Sequence, residues 1–379
     1  MTIGIPTETA PGERRVALVP ESVSKLTKSG VGVLVQRGAG DAASFVDAAY
    51  EAAGASLADD VASLYDRSDV VIKVQRPSPE ELERLRPGSV LVALLAPLGD
   101  APYVERLAQR RLNALSMDAI PRITRAQSMD VLSSQANIAG YKAVLLGAAA
   151  LPRFFPMLTT AAGTIAPAKV LVLGAGVAGL QAIATARRLG AVVSGYDTRA
   201  VVKEQVQSLG ASFLEMDLGI DAEGVGGYAK ELSAEHADKQ RAFMEQHIGA
   251  SDVVVTTAAV PGKRAPLLIT EEAVKAMKPG SVIVDIAAET GGNCALTEPG
   301  AVVVRHGVTI IGTTNLPSSM PYHASQLYSR NVFALLKHLL KEGQLTFDYD
   351  DPITRGTTLT HDGEIVHEPT LAALAGTAA

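Results

Sequence analysis

The segment from residue 169 to Asp197 constrains the fold of this chain more than any other stretch. It reads KVLVLGAGVAGLQAIATARRLGAVVSGYD: a buried-strand run, a glycine turn, an amphipathic helix, a second strand and a terminal acid. In a dinucleotide-binding unit, Gly174 permits the tight turn, Gly176 lets the backbone approach a pyrophosphate, and Gly179 allows close packing of the helix on the strand. This order of elements predicts a Rossmann-like unit that binds a dinucleotide.

The acid at the end of the second strand indicates which dinucleotide. The Asp197 carboxylate can hold both ribose hydroxyls and would repel a 2′-phosphate, so NAD(H) is favoured over NADP(H). Arg199 weakens this preference, because a nearby arginine is the usual phosphate acceptor. We assign the cofactor as NAD(H). The predicted binding positions in this unit are Gly174, Ala175, Gly176, Val177, Gly179, Asp197, Thr198 and Arg199.

Composition narrows the class of protein without choosing a function. A chain of 379 residues, 47% of them hydrophobic, is ample for two α/β domains with substantial cores. The net charge of −6 and the lack of a basic run argue against nucleic acid as a partner. The single Cys294 fits a reducing compartment and excludes a cysteine-based metal site. No apolar run approaches the roughly 20 residues that a bilayer helix requires, so we predict a soluble, cytoplasmic-type protein without a metal.

An imperfect internal repeat indicates two halves that both alternate strand and helix. The sequence SDVV at 68–71, followed by PGSV at 87–90, recurs as SDVV at 251–254 followed by PGSV at 279–282. The alternation predicts an α/β fold of two doubly wound, Rossmann-like domains, with parallel sheets and a ligand beyond the carboxyl ends of the strands. The strands predicted in the first half are 2–5, 31–35, 70–74, 90–94 and 112–115.

Two long helices and a C-terminal hairpin predict the domain layout. Helical spacing of apolar residues over 126–151 and 325–341 indicates helices that cross between the domains. Near the C-terminus, strands at 358–361 and 364–367 flank an Asp-Gly pair, which is a strong hairpin signal. We predict a discontinuous first domain, 1–132 with 321–379, and an NAD(H)-binding Rossmann domain, 133–320, inserted within it.

Motifs outside the dinucleotide unit resemble a known family. They are PRITRAQSMD at 121–130, QANIAGY at 135–141, GGYAKE at 226–231, GGN at 291–293, TNLPS at 314–318 and SQLY at 325–328. Together with the glycine fingerprint, they make nearly the whole chain similar to the NAD(H)-binding component (domain I of the alpha subunit) of proton-translocating nicotinamide nucleotide transhydrogenase. Alanine dehydrogenase is the nearest relative by fold, and it shares the ERRVAL pattern at 13–18 and a lysine resembling Lys73.

The resemblance implies an activity and partners. The activity is direct hydride transfer between NADH and NADP⁺, with NADP(H) held by a partner subunit. A membrane-embedded transhydrogenase subunit would couple this transfer to proton translocation. The chain itself would be cytoplasmic and peripherally associated with the inner (plasma) membrane, and it would form a homodimer through its nucleotide domains.

The resemblance also implies site residues in the loop before the first long helix. Arg122, Gln127 and Asp130 match the family's loop that holds the nicotinamide end of NADH, with Ser128 and Ser133 close by. The alternative is an ordinary N-cap cluster in which Thr124 or Ser128 opens the helix, and capping is compatible with cofactor contact.

A glycine-rich, charged region at 217–239 resembles the family's segment that closes over bound nucleotide. Gly227, Tyr228 and, farther on, Gln240 match its contacting positions. On composition alone, the region is a mobile surface loop. Ala259, after a predicted strand at 253–257, matches a position near the adenosine where a larger aliphatic residue occurs in the family.

Chemistry separates transhydrogenase from alanine dehydrogenase. Oxidation of an amino acid needs a positioned acid or base. Alanine dehydrogenases resemble this chain but place a histidine after the strand that here ends at 94–95. No histidine precedes His236, so the first domain is predicted to offer none. Hydride transfer between two nicotinamide rings needs positioning and no general base.

Two alternative functions remain at this point. Lys73 could serve as the acid or base of a divergent amino-acid dehydrogenase, although Lys73 and Arg76 also fit a polar exit from a strand into the Pro77 turn. A non-catalytic NAD-sensing module is disfavoured, because the loop at Arg122 on the nicotinamide side is retained.

Overall fold

Two units make up the chain in the computed structural model, which describes residues 1–215, 243–260 and 262–377. Unit 1 comprises Met1–Gln135 and Ser318–Ala379, and unit 2 comprises Ala136–Pro317. The sequence interpretation places the corresponding boundaries at 132/133 and 320/321.

The strands are short, as expected for parallel sheets with crossover helices. In chain order they are β1 (Thr2–Ile5), β2 (Gly32–Gln36), β3 (Ser56–Ala58), β4 (Val70–Gln75), β5 (Val90–Leu94), β6 (Asn113–Ser116), β7 (Leu158–Thr160), β8 (Gly163–Ile165), β9 (Lys169–Leu173), β10 (Val192–Tyr196), β11 (Ser212–Phe213), β12 (Val253–Thr256), β13 (Val282–Asp285), β14 (Val302–Arg305), β15 (Val308–Ile311), β16 (Leu340–Lys341), β17 (Gln344–Leu345), β18 (Thr358–His361) and β19 (Glu364–Ile365).

Helices alternate with most of these strands. The α-helices are α1 (Pro20–Lys28), α2 (Asp47–Ala52), α3 (Val61–Arg67), α4 (Pro79–Arg84), α5 (Ala101–Gln109), α6 (Val131–Ala150), α7 (Val177–Arg188), α8 (Lys203–Ser208), α9 (Glu271–Ala276), α10 (Pro321–Leu339), α11 (Pro352–Thr357) and α12 (Glu368–Thr377). Residues 243–249 are also helical.

Unit 1 contains an eight-stranded sheet in the order β19-β18-β6-β5-β4-β1-β2-β3. The strands from β1 to β6 pair in parallel, and β1 lies between β2 and β4, so the strand order reverses at β1 as in a doubly wound fold. The tail adds β18 and β19, which pair antiparallel at one edge. This edge makes the sheet mixed, whereas the sequence predicted a parallel one.

The sheet of unit 1 is buried on both faces. Along β4, Val70, Ile72 and Val74 belong to one hydrophobic core, while Val71 belongs to the core on the opposite face. The alternation follows from the two-residue period of a strand, and a strand covered on both faces reads as a continuous apolar run. Helix α10 packs Tyr328 and further apolar residues into the first of these cores.

Unit 2 contains a seven-stranded sheet in the order β11-β10-β9-β12-β13-β15-β14. All neighbours pair in parallel except β14, which pairs antiparallel with β15 at the edge. The order reverses between β9 and β12, which is where a doubly wound sheet binds its ligand. The predicted α/β fold with Rossmann-like domains is thereby confirmed.

The first predicted long helix begins later than the sequence indicated. Residues Thr124–Met129 form a 3₁₀ helix, and α6 begins only at Val131. The prediction of one helix from residue 126 was therefore wrong at its start, because helical spacing of apolar residues does not distinguish a 3₁₀ turn from an α-helix. The second helix begins four residues earlier than residue 325, since Pro321 occupies its first turn.

The predicted C-terminal hairpin is present as β18 and β19. Asp362 and Gly363 both have positive φ, of 48° and 90°, as a type I′ turn requires. Its second strand is shorter than predicted and ends at Ile365. Within the described ranges, no helix is long and apolar enough to cross a membrane.

Candidate functional site

The glycine turn after β9 has the geometry of a phosphate-binding turn. Gly174 has a φ of +93°, and its N–H donates to the Tyr196 carbonyl at 2.9 Å. A Cβ at Gly179 would overlap the Gly174 carbonyl oxygen, so only glycine lets α7 pack this closely. At Gly176, by contrast, a Cβ would meet only the Arg199 guanidinium, 3.9 Å away. Gly176 thus leaves open space beside the backbone.

The amino end of α7 is available to an anion. Gly176 is its N-cap, and no side chain caps the first turn, which also lacks an acidic residue. The first N–H groups of a helix have no partner within it, and the helix dipole favours negative charge there. Ala175, in the turn, is buried, and Val177 opens the helix on its exposed side. These features suit a pyrophosphate.

Asp197 lies just beyond β10 and is almost fully engaged. Its Oδ2 accepts from the Ala175 N–H at 2.7 Å and from Arg199 Nη2 at 2.7 Å. Its Oδ1 accepts from the Arg199 N–H and from Arg199 Nε, both at 2.9 Å. The carboxylate is therefore joined to the glycine turn and covered by the arginine that follows it.

A test of whether a nucleotide fits comes from Thr198. Its Oγ1 is buried and has no hydrogen-bond partner among the described residues. Buried hydroxyls are normally paired, and leaving one unpaired costs about 1–3 kcal/mol. An unpaired hydroxyl beside Asp197, together with the open space at Gly176, fits a ligand that offers hydroxyl and phosphate groups.

The loop after β12 is held by two buried polar residues to which sequence reasoning gave no role. Asn293 Oδ1 accepts from the Ala258 N–H at 3.1 Å, and its Nδ2 donates to the carbonyls of Ala258 and Pro266, each at 2.8 Å. Asp285 Oδ2 accepts from the Asn293 N–H at 2.8 Å. This clamp fixes the backbone beside the exposed Ala259. The sequence signal for this clamp was the GGN run at 291–293, because an asparagine amide can both donate to and accept from backbone groups.

In unit 1, the loop before α6 is anchored by apolar residues and leaves its polar side chains outside. Ala126 and Met129 are buried, whereas Arg122, Gln127 and Ser128 are exposed. The Ser128 carbonyl accepts from Asn331 Nδ2 on α10 at 2.8 Å, which fixes the loop backbone. The loop is therefore a rigid support with polar groups on its outer side.

Asp130 caps α6, so the alternative interpretation, in which Thr124 or Ser128 opens the helix, was wrong. Its Oδ1 accepts from the Ser133 N–H at 2.9 Å, and its Oδ2 accepts from Ser133 Oγ at 2.6 Å. An aspartate at the start of a helix is an N-cap when its side chain accepts a hydrogen bond from the backbone N–H three residues later. The cap holds the Asp130 carboxylate in one orientation.

Unit 1 also contains a buried ionic cluster built around Lys73. Its Nζ lies 2.8 Å from Glu81 Oε1 and 3.6 Å from Glu8 Oε2, and the lysine side chain is 1% exposed. Glu8 Oε1 accepts from the Val74 N–H at 2.5 Å. Burial raises the pKa of Glu8 to about 7, and the attraction of Lys73 only partly offsets it.

A second ion pair adjoins this cluster. Glu13 accepts from Arg15 Nε at 2.8 Å and from Arg15 Nη2 at 2.7 Å, and Gln75 Nε2 donates to it at 2.9 Å. Burial acts to raise the pKa of Glu13, but the hydrogen bonds and charge of Arg15 outweigh it and hold the pKa at about 2. Arg15 Nη1 also donates to Gln135 Oε1 at 2.9 Å.

Two interpretations of the first domain need correction. Lys73 lies inside β4 and is buried, so it is not a polar exit from the strand; only Arg76, which pairs with Asp100 at 2.6 Å, fits that description. The expectation that the first domain offers no histidine was also wrong, because the tail returns to unit 1. It contributes His323, His338, His361 and His367.

The position expected to carry a histidine in an alanine dehydrogenase has none. After β5, Ala96 has a φ of +48°, and its N–H donates to Asp118 Oδ2 at 2.9 Å.

Gly227, Tyr228 and Gln240 lie outside the described residues. Among the residues that are described, no group of histidine, cysteine and acidic side chains could hold a metal ion.

Comparison with known proteins identifies both halves of the chain. The family model of the "Alanine dehydrogenase/PNT, N-terminal domain" matches residues 4–139, and that of the "Alanine dehydrogenase/PNT, C-terminal domain" matches residues 143–368. These matches cover most of the chain.

Individual relatives cover it almost end to end. The chain is 50% identical to the first of the separate parts of NAD(P) transhydrogenase subunit alpha in Rhodospirillum rubrum, over 97% of this chain and 98% of that protein. It is 28% identical to the alanine dehydrogenase of Mycolicibacterium smegmatis, over 97% and 95% of the two chains. A crystal structure of transhydrogenase from Sinorhizobium meliloti superimposes with a TM-score of 0.88 at 44% identity, covering 96% of this chain and all of that one.

Proposed function

This chain belongs to the alanine dehydrogenase/PNT family, and we propose that it is the NAD(H)-binding component of a proton-translocating NAD(P) transhydrogenase. The reaction is direct transfer of a hydride between NADH and NADP⁺, with NADP(H) held by a partner subunit. The observation that carries the proposal lies at the switch point of unit 2. There, the backbone at Gly176 is open, the Asp197 carboxylate is bonded to the glycine turn, and the Thr198 hydroxyl has no partner among the described residues. The higher identity to the transhydrogenase relative than to the alanine dehydrogenase supports it.

NAD(H) would be held by unit 2 through the groups at the end of β9 and β10. The amino end of α7 and the open backbone at Gly176 would take the pyrophosphate. Asp197 would accept from the ribose hydroxyls and reject a 2′-phosphate. Thr198 would contribute the hydroxyl that has no partner among the described residues.

We propose that the loop of unit 1 positions the nicotinamide end. When bound, NADH supplies the hydride from its nicotinamide ring. Gln127 is an exposed amide that can both donate and accept, and Arg122 is an exposed cation able to bind phosphate or carboxylate oxygens. The Asp130 carboxylate, which caps α6, supplies an acceptor that Ser133 holds in one orientation. Ser128 lies in the same loop.

The proposed reaction requires these residues to align the nicotinamide rings and does not require them to transfer a proton. A C–H bond at one nicotinamide ring breaks with its electron pair, and a C–H bond forms at the other, so no heteroatom changes its protonation. Catalysis by positioning is sensitive to small displacements. A loop anchored by Ala126, Met129 and the bond from Asn331 fits this demand.

The proposed transhydrogenase complex contains further subunits. The name of the Rhodospirillum rubrum relative describes it as one numbered portion of an alpha subunit, which implies other portions. We propose an NADP(H)-binding subunit and a membrane-embedded subunit as partners, with this chain in the cytoplasm and peripherally associated with the inner (plasma) membrane.

We also propose a homodimer formed through unit 2. The antiparallel hairpin of β7 and β8 and the segment before it expose large apolar side chains: Phe154 is 53% exposed, Met157 63% and Ile165 47%. Apolar side chains grouped on one exposed segment are typical of an interface. Sedimentation as a monomer at micromolar concentration would refute the dimer, and Met157→Ser should weaken it.

The decisive experiment mixes the purified chain with an NADP(H)-binding transhydrogenase domain. We expect NADPH to reduce an NAD analogue, with the rate depending on both proteins. The matched control is Gly176→Ala, which should fold but should need about tenfold or more of the NAD analogue to reach the same rate. No transfer by the wild-type mixture, despite NADH binding, would overturn the proposed function.

The alternative is an NAD-dependent alanine dehydrogenase, favoured by the ERRVAL pattern and by Lys73. The buried Lys73 ammonium is already engaged by Glu81 and Glu8, and Ala96 stands where the dehydrogenase histidine is expected. Formation of pyruvate from alanine and NAD⁺ by the chain alone would establish this alternative.

A further inference from the structure

Thr257 bonds to the glycine turn from the neighbouring strand. It follows β12, and its N–H donates to the Leu173 carbonyl at 2.9 Å, which continues the pairing of β12 with β9. Its Oγ1 donates to the next carbonyl along the chain, that of Gly174, at 3.1 Å. A Cβ at Gly174 would lie 2.6 Å from this Oγ1, and a Cβ at Gly179 would lie 3.4 Å from it. The threonine hydroxyl therefore occupies the space beside two fingerprint glycines.

The bond from Thr257 acts on one end of a peptide group whose other end holds Asp197. The carbonyl of Gly174 and the N–H of Ala175 belong to the same planar peptide group. The Ala175 N–H donates to Asp197 Oδ2 at 2.7 Å. Because the C=O and N–H of a trans peptide point in opposite directions, the two bonds fix the orientation of the group from both sides.

Rotation of this peptide group is the motion that the two bonds oppose. Gly174 has a φ of +93°, and a glycine restricts its own backbone very little, so the turn needs outside contacts to hold one orientation. A flip of the group would break the bond from Thr257 and remove the N–H from Asp197. It would also turn the Gly174 carbonyl oxygen toward the Asp197 carboxylate, where two acceptors repel each other.

Asn293 holds the segment that carries Thr257. Its Oδ1 accepts from the Ala258 N–H at 3.1 Å, and its Nδ2 donates to the Ala258 carbonyl at 2.8 Å. The asparagine is fully buried. Since both backbone groups of the residue after Thr257 are held, the threonine is fixed against Gly174. The GGN run at 291–293 is thus connected to the glycine turn through Thr257.

We propose that Thr257 is a positioning residue for the dinucleotide, a role that rests on the proposed function of unit 2 in binding NAD(H). Its hydroxyl keeps the Gly174–Ala175 peptide group in the orientation that holds the Asp197 carboxylate for the ribose. Thr257 acts through this peptide group and takes no part in hydride transfer. Loss of the hydroxyl should therefore weaken NADH binding and leave the transfer rate unchanged once NADH is saturating.

Calorimetric titration of NADH into the full chain tests this role. Thr257→Val removes the hydroxyl and keeps the branched shape, and we expect NADH affinity to fall by roughly fivefold, the value of one neutral hydrogen bond. Thr257→Ser keeps the hydroxyl and should bind NADH within about twofold of the wild type. With the NADP(H)-binding domain and saturating NADH, both variants should transfer hydride at the wild-type rate in single turnover.

Thr185→Val is the matched control. Thr185 is a buried threonine in the last turn of α7, away from the glycine turn, and its hydroxyl donates to the Gln181 carbonyl at 2.8 Å. The control loses a comparable hydrogen bond, so its melting temperature measures the general cost of such a loss. Its NADH affinity should equal that of the wild type.

The amide NMR signal of Ala175 reports on the peptide group directly. In Thr257→Val this signal should move upfield, because the bond from the Ala175 N–H to Asp197 loosens, whereas Thr185→Val should leave it in place. If Thr257→Val fails to fold, Thr257→Ala replaces it and should show the same loss of NADH affinity.

Two results would overturn the role of Thr257 alone: wild-type NADH affinity in the variant that lacks the hydroxyl, or equally weak binding by Thr257→Ser. Absence of NADH binding by the wild type would overturn the proposed function, and the role of Thr257 with it.

Discussion

Arg199 covers the carboxylate of Asp197. Its Nε and Nη2 donate to the two carboxylate oxygens at 2.9 and 2.7 Å, and the aspartate side chain is only 5% exposed. Ribose hydroxyls would use the same lone pairs, so nucleotide binding must displace at least part of this fork. On the proposed assignment of NAD(H) to this site, the preference between the two dinucleotides would be a property of the pair and not of the acid alone.

We predict that the wild-type chain binds NADH in preference to NADPH and that Asp197→Ala reduces this preference by about tenfold or more. The substitution removes the repulsion and releases Arg199 for a 2′-phosphate. Direct titration of both nucleotides at moderate salt measures the ratio.

The control for this prediction is the double variant Asp197→Ala/Arg199→Ala. It should lose any NADPH affinity gained by the single variant, because the released guanidinium is gone. Comparable affinities of the wild type for NADH and NADPH would contradict the assignment of NAD(H).

Two glycines of the dinucleotide fingerprint, Gly176 at the N-cap of α7 and Gly179 inside the helix, should respond differently to one added methyl group. At Gly176 a Cβ meets only Arg199, and the backbone φ of −74° suits any residue, so Gly176→Ala should keep its melting temperature. NADH affinity should fall by roughly tenfold or more, because the methyl occupies the approach of the pyrophosphate.

Gly179→Ala is the matched variant. Its methyl would overlap the Gly174 carbonyl oxygen, so it should lose about 2 kcal/mol or more of unfolding free energy. Denaturant unfolding and NADH titration separate the two effects. A stable Gly179→Ala or a fully binding Gly176→Ala would be inconsistent with the assigned roles.

Gln127→Asn should slow hydride transfer strongly while leaving NADH affinity nearly intact. Loss of alignment can cost orders of magnitude in rate, whereas one neutral hydrogen bond contributes only about 0.5–1.5 kcal/mol to binding. Single-turnover transfer with the NADP(H)-binding domain gives the rate, and equilibrium titration gives the affinity.

The same assay reports on acid–base catalysis. With both nucleotides bound, the rate of hydride transfer should be nearly flat from about pH 6 to 9, since no proton is transferred. A bell-shaped profile would reveal an essential acid or base, and the dehydrogenase alternative through Lys73 would then explain the data better.

Glu8 should make the fold less stable as pH rises through about 7. Its pKa is raised by burial from 4.5 to about 7, so in this interval the folded chain keeps a proton that the unfolded chain has lost. The resulting stabilisation is complete below pH 4.5 and disappears as pH rises through 7. Between about pH 6 and 8, the free energy of unfolding of the wild type should fall by about 1 kcal/mol through Glu8, and Glu8→Gln should lack this decrease.

Comparison of wild type with Glu8→Gln by urea unfolding isolates this contribution. Glu13, with a pKa of about 2, affects stability only in more acidic solution, as pH falls below its ordinary value. His367, whose pKa is lowered by burial, titrates identically in both proteins and cancels. Equal slopes for the two proteins would show that Glu8 is ionised in the fold at neutral pH.

Much of the fold could be predicted from local sequence. The strand-turn-helix pattern around Gly174 predicted a Rossmann-like unit, and Asp362-Gly363 predicted a hairpin, because both depend on backbone conformations that few residues adopt. The start of α6 could not be predicted, since it is set by the cap at Asp130, and several nearby polar residues were equally suitable caps.

The sequence by itself determined the order of elements, the glycine turn and the acid that follows it, because these follow from propensity and spacing within about 30 residues. Only the tertiary structure decided that Arg199 covers Asp197, that Asn293 clamps Ala258, and that Glu8 and Glu81 flank Lys73. These relationships depend on how side chains orient and on how distant segments meet. A side-chain carboxylate's partner and pKa are set by the burial and charge that the fold assembles around it.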